Sequence, residues 1–230
     1  NQWTSAQDCL VLGPQNYLNK LRLLGIETDD LDMQVPLCED DREFARGLIA
    51  DAVSGYPESR GVVALCPFTT WPQKHWTDEG WAKLADTLIS GYNMVPIFMG
   101  AKADLDRFGR IRSMMKHQPG DAVGKTNIKR AAAVCEQSDL VITVDTGLLH
   151  ISMALGRPVI GMFGPTRWKH FACRDNFTAV AKDFHCMPCL RHPTCRSFDC
   201  MRAITPEDIL AAAEKWLPSR EDEMSVTGAT

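Results

Sequence analysis

Leu140-Val141-Ile142-Thr143-Val144-Asp145-Thr146-Gly147-Leu148-Leu149-His150 is the stretch whose reading decides the fold. Residues 140–144, all β-branched or leucine, predict a short buried strand. The chain then passes an acid, a hydroxyl and a glycine into a small-residue helix expected over residues 148–155. So abrupt a passage puts Asp145, Thr146 and the first backbone N–H groups of a helix at the carboxyl end of a strand. Open α/β sheets bind ligands there, and unpaired N–H groups at the positive end of a helix dipole favour phosphate. Asp-Thr-Gly is equally ordinary capping chemistry, so this segment by itself leaves both readings open.

A second segment repeats the arrangement. Val62-Val63-Ala64-Leu65-Cys66 reads as another buried strand, and Pro67-Phe68-Thr69-Thr70-Trp71-Pro72-Gln73-Lys74-His75-Trp76 follows it, before a helix expected over residues 77–90. Thr69 and Thr70 supply hydroxyl donors and Lys74 a compact cation, a set suited to a diphosphate. A lysine is also commonly a solvated surface charge.

Outward from these segments, strands and helices alternate. Strands are expected over residues 94–99 and 159–163, with helices over 104–115, from the Asn127 cap through 136, and over 207–216. Gly91 is the expected C-cap of the helix over 77–90, and Thr205 with Pro206 opens the last helix. This βαβ alternation implies an α/β fold, a doubly wound parallel Rossmann-like sheet. Upstream, residues 27–43 hold eight acids against one base, Arg42, which reads as a solvated connector leading to an amphipathic helix over 40–53.

With 230 residues and 45% hydrophobic content, the chain can bury a full core. A net charge of −4 argues against electrostatic capture of nucleic acid, and no apolar run reaches the length that spans a bilayer. Asn1-Gln2-Trp3-Thr4-Ser5 has neither an initiator Met nor a signal-peptide pattern, so the start is expected to be a cut edge. Cysteine usage points to a reducing compartment: nine is an odd number, and Cys66 and Cys135 fall on apparent core faces.

Together, Val144-Asp145-Thr146-Gly147-x-x-His150, Ala154-Leu155-Gly156-Arg157-Pro158, Phe163-Gly164-Pro165-Thr166 and Thr69-Thr70-x-x-x-Lys74-His75-Trp76 resemble the ADP-heptose:lipopolysaccharide heptosyltransferases, glycosyltransferase family 9. The resemblance implies the C-terminal half of a glycosyltransferase B fold: residues 1–60 a remnant of the first domain with the acidic connector, 61–217 the donor-binding domain, 218–230 a loose tail. It implies inverting transfer of heptose from ADP-heptose, or a related nucleotide sugar, to the lipopolysaccharide inner core. No cofactor is needed for that transfer. The enzyme would be cytoplasmic, at the inner face of a Gram-negative inner membrane and peripherally associated with it. Thr69, Thr70 and Lys74 would hold the diphosphate and adjoining sugar, Asp145 would accept from sugar hydroxyls, and Thr146, Gly147 and His150 would face the phosphates. Asp104 sits where the family tends to place a glutamate that reaches the ribose, and helix capping competes for it; Lys125 and Thr126 are further candidates for the nucleoside pocket. The catalytic base is expected in the first domain, so the isolated chain is expected to transfer no sugar. A non-catalytic nucleotide-sugar-binding module is the rival reading.

Cys186, Cys189, Cys195 and Cys200 form the other constellation. Four thiols this close can close a tetrahedral zinc or iron site, or stay reduced, or form two disulfides. Some relatives carry such a loop, among them protein heptosyltransferases in which it binds iron, which makes that activity a further alternative. A metal there would be structural, and its loss is expected to loosen the loop while leaving the nucleotide site intact.

Overall fold

The apolar runs form the middle of a parallel sheet in the computed structural model, which describes residues 14–28, 33–169, 175–193 and 195–219. The expected cut edge at residues 1–5 and all of the tail beyond residue 219 lie outside the described residues, as do Cys9 and Cys173. The strands are β1 (Gly61–Cys66), β2 (Met94–Phe98), β3 (Gly120–Asp121), β4 (Leu140–Val144), β5 (Val159–Phe163) and β6 (Phe177–Ala181). Every pairing among them is parallel, in the order β3-β2-β1-β4-β5-β6. The doubly wound α/β sheet expected from the sequence is therefore present. The two edge strands add to the expectation; β3 is two residues long and has no periodicity to read.

Side-chain alternation along the strands separates two cores. Val63, Leu65, Met94, Phe98, Leu140, Ile142, Ile160 and Met162 face one side, with helices α3 (Asp78–Tyr92), α4 (Leu105–Met114) and α8 (Pro206–Ala213) packed on it. Val62, Ala64, Cys66, Val95, Ile97, Val141, Val159 and Phe163 face the other, under α2 (Glu39–Val53), α5 (Ile128–Glu136) and α6 (Gly147–Ala154). Both faces of an all-parallel sheet need such cover, and this is why its strands are apolar on both sides. Helices α1 (Pro14–Arg22) and α7 (Asp199–Arg202) complete the described helices. Helix α2 is bound to the second face: Arg42 donates to both carboxylate oxygens of Glu136 at 2.8 and 3.0 Å, and Gln137 Nε2 donates to Arg42 O at 3.0 Å.

Helix ends follow their side chains. Thr77 caps α3 by accepting from Gly80 N at 3.0 Å, and Asn127 caps α5 by accepting from Arg130 N at 2.9 Å. The C-cap of α3 corrects the sequence expectation. Gly91 lies inside the helix, and Asn93, at φ 54, closes it. Asparagine tolerates the left-handed conformation, and the two further helical residues deliver the chain directly into β2.

Candidate functional site

The strand order reverses between β1 and β4, and the crevice at their carboxyl ends is where such sheets bind ligands. A cleft of about 700 Å³ opens there, and Thr69, Thr70, Lys74, Asp104, Asp145, Thr146, Gly147 and His150 all line it. Of the further candidates, Thr126 lines it too. Lys125 does not, because its ammonium pairs with Asp121 at 2.8 Å beside a different hollow.

The loop after β1 is anchored within and just beyond its short 3-10 turn, Pro72–Lys74. Trp76, 2% exposed, donates its indole N–H to Ile204 O at 2.9 Å and meets the Trp81 ring edge-on at 5.3 Å. An indole so enclosed serves as an anchor, and its loss would cost about 3–5 kcal/mol. Gln73 is buried as well and donates to Leu190 O at 3.0 Å. Between these anchors Lys74 is directed into the cleft. Its Nζ lies 2.7 Å from Asp145 Oδ2, donates to Asp145 O at 3.3 Å, and stands 4.1 Å from the Trp71 ring centroid. Each side chain of this ion pair is 13% exposed, so solvent screens it only in part.

On the β4 side, Thr146 is the N-cap residue of α6 without capping through its side chain, and no acid occupies the first helical turn. An added Cβ at Gly147 would meet nothing within 4 Å, so the helix start is open toward the cleft. At Gly100, by contrast, an added Cβ would lie 2.6 Å from the Phe68 ring, so only glycine lets the loop after β2 close against the loop after β1. Asp104 accepts the Ala101 N–H at 2.8 Å across the 3-10 turn Lys102–Asp104; it precedes α4 without capping that helix through its side chain, and it borders the cleft.

His150 Nε2 stands 3.9 Å from Asp145 Oδ1. Burial holds its pKa below the ordinary histidine value; Asp145 opposes this and Lys74 adds to it. His75 is lowered too, first by burial and then by the Arg107 charge, and its Nδ1 has no hydrogen-bond partner. Both rings are neutral at pH 7, so His150 offers a neutral donor or acceptor. The unfolded chain returns both to about 6.5. As pH falls through that value it takes up protons that the folded chain refuses, so this contribution to stability is full above it and shrinks below it. Thermal unfolding scanned from about pH 7.5 to 5.5 is expected to show a falling Tm, with a shallower fall in His75→Gln. An equally steep fall in that variant would remove His75 as a source.

Several contributors were not assigned from the sequence. Phe68, Met99, Ile128 and Ala131 give the cleft an apolar wall, with Ile128 62% exposed just beyond the Asn127 cap. Cys66 lies at the floor, 1% exposed, with Cys135 fully buried beside it, in keeping with the core placement expected of both. Contact with Cys135 and burial hold the Cys66 thiol well above the ordinary range.

The cysteine loop departs from expectation. Cys186, Cys189, Cys195 and Cys200 are free thiols, and among the described residues no three His, Cys, Asp or Glu side chains are grouped to hold a metal ion. Cys200 is drawn into the core at the start of α7, where an added Cβ on Gly164 would lie 2.6 Å from its Sγ, while the other three stay half-buried in the loop. Burial, more than the neighbouring thiols, pushes Cys189 and Cys200 upward. The zinc or iron expectation therefore does not fit this arrangement. Nor is the loop separate from the cleft, since Leu190 holds Gln73.

Comparison with known proteins agrees with this picture. The family model for glycosyltransferase family 9 (heptosyltransferase) matches residues 14–197. The lipopolysaccharide core heptosyltransferase OpsX of Haemophilus influenzae is 28% identical over 165 residues, covering 70% of this chain and 45% of that protein. The family 9 glycosyl transferase of Veillonella parvula superimposes with a TM-score of 0.72 at 21% identity, covering 87% of this chain and 58% of that one. The E. coli ADP-heptose LPS heptosyltransferase II gives 0.64 at 18% identity, covering 86% and 57%. At those identities the solved structures speak to the fold alone. The chain spans about half the length of the curated relatives it matches. Because the family pattern runs through most of the sequence and both halves of the cleft fall inside it, the chain belongs to glycosyltransferase family 9, the heptosyltransferases.

Proposed function

We propose that this chain is the donor-binding half of an inverting lipopolysaccharide heptosyltransferase that uses ADP-heptose and takes the lipopolysaccharide inner core as acceptor, at the cytoplasmic face of the inner membrane. The observation that carries this reading is the meeting of Lys74, Asp145 and the open start of α6 in one cleft at the switch point of the sheet. An ammonium has three N–H donors. Asp145 takes two through its carboxylate and carbonyl, and the third is the one a phosphate oxygen would accept. The α6 N–H groups would take a second phosphate oxygen. The Asp145 carboxylate suits sugar hydroxyls, and the wall at Met99, Ile128 and Ala131 suits a purine face. Helix α2, upstream of β1, is fastened to α5 on the second face of the sheet and so packs with this half.

Transfer forms a bond from an acceptor hydroxyl oxygen to the anomeric carbon as the bond from that carbon to the diphosphate breaks, with inversion. The departing ADP gains negative charge, and Lys74 and the start of α6 are placed to stabilise it. No base for the acceptor proton is assigned to this chain. The transfer as written uses no cofactor.

The test is calorimetric titration of the 230-residue chain with ADP. Gly147→Val adds a side chain where nothing stands within 4 Å, so the fold is expected to persist while the side chain occupies the phosphate position. ADP binding that is lost in Gly147→Val supports the reading, and unaltered binding would move the phosphates away from α6.

A further inference from the structure

The loop that follows β6 reaches back to the loop that carries Lys74. Leu190 accepts from Gln73 Nε2 at 3.0 Å, and its own N–H donates to Pro165 O at 2.8 Å. It does so at φ 53, a left-handed conformation unfavourable for a residue with a Cβ and held here by these two bonds. The next residue, Arg191, sets its guanidinium carbon 4.9 Å from the centroid of the Trp71 ring. Lys74 Nζ stands 4.1 Å from the same centroid. One indole therefore carries two cations, one directed into the cleft and one on the exposed face of the cysteine loop.

The arrangement matters for Lys74 because a lysine has four rotatable bonds, and its ammonium is useful only while it stays at the cleft. Asp145 holds one side of it. The Trp71 ring holds another; the backbone of that residue is tied by Lys74 N donating to Trp71 O at 3.0 Å and, more weakly, by Trp71 N to Thr69 Oγ1 at 3.5 Å, bonds that leave the ring itself to its side-chain contacts. Packing Arg191 on the indole restrains the ring and keeps its electron-rich face turned to cations.

Resting on the donor-site reading of the cleft, we propose that Arg191 is a positioning residue of the phosphate site: it restrains Trp71, and through Trp71 the Lys74 ammonium, so that the cysteine loop governs the grip on the diphosphate. The two loops meet from distant parts of the chain, Gln73 and Leu190 lying 117 positions apart.

The experiment uses the whole chain and two readings. Arg191→Ala is expected to raise the Kd for ADP about two- to fivefold, the loss of one exposed cation–π contact, with partial recovery in Arg191→Lys. In a Lys74→Ala background the same change is expected to add nothing, because the effect passes through Lys74. An unchanged Kd in Arg191→Ala, or an undiminished effect without Lys74, overturns the proposal. Hydrogen exchange of residues 69–76 is the second reading, and Arg191→Ala is expected to speed it. Should the unaltered chain bind no ADP, the donor reading itself fails, while the exchange result still decides whether Arg191 restrains this loop: unaltered exchange overturns the restraint.

Discussion

Lys74→Ala is expected to weaken ADP binding about 10- to 150-fold, the equivalent of about 1.5–3 kcal/mol for a hydrogen bond to a charged group. The effect should be large because Lys74 is 13% exposed and held by two other groups, Asp145 at 2.7 Å and the Trp71 ring at 4.1 Å. A cation already ordered loses little further entropy when a phosphate arrives. The substitution also strands the Asp145 carboxylate beside an apolar gap, so some stability is lost along with the binding. Thermal unfolding measured beside calorimetry separates the two. Lys74→Arg keeps the charge and should recover part of the affinity. A folded Lys74→Ala protein that binds ADP as tightly as the parent would take Lys74 out of the site.

Asp145→Asn is expected to split two ligands that share the same nucleotide. ADP-heptose should bind about tenfold or more weakly, because a charged acceptor for sugar hydroxyls becomes a neutral amide. ADP should bind as well as before or more tightly. Asp145 is the ion-pair partner of Lys74, so removing its charge frees the ammonium for the diphosphate and removes a like charge from its neighbourhood. His150, 3.9 Å from Asp145, also loses the group that favours its protonated form and should stay neutral to lower pH. Calorimetry with both ligands on one preparation decides the matter. Matching losses for ADP and ADP-heptose would assign Asp145 to the phosphates or to the frame of the site.

Much of the site was legible because its parts are local. A buried strand, an acid or hydroxyl pair at its end and a following helix lie within about a dozen residues, and their order along the chain places Asp145, Thr146 and Gly147 at a strand mouth before any packing is known. The same holds for Thr69, Thr70 and Lys74 after β1. What local pattern leaves open is direction. Lys125 is adjacent to Thr126, which lines the cleft, yet the lysine turns to Asp121 because an opposite charge stands one turn away. Cys200 is close in sequence to Cys195, yet it follows Met201 into the core and leaves the other thiols behind.

The sequence by itself determined the class of the fold, the four inner strands, the caps at Asn127 and Thr205 and most polar members of the cleft, since periodicity, capping side chains and turn residues act over a few positions. Only the tertiary structure decided that β3 and β6 close the sheet, that Asn93 and not Gly91 ends α3, and that Lys74 pairs with Asp145 across 71 positions. It also decided that the cysteine loop rests on the loop after β1 through Leu190 and Arg191. The physical reason is the same in each case. An edge strand of two residues, a helix length set by the strand it must feed, and an ion pair between two loops are stabilised by neighbours distant in the chain, and those neighbours exist only once both faces of the sheet have been covered.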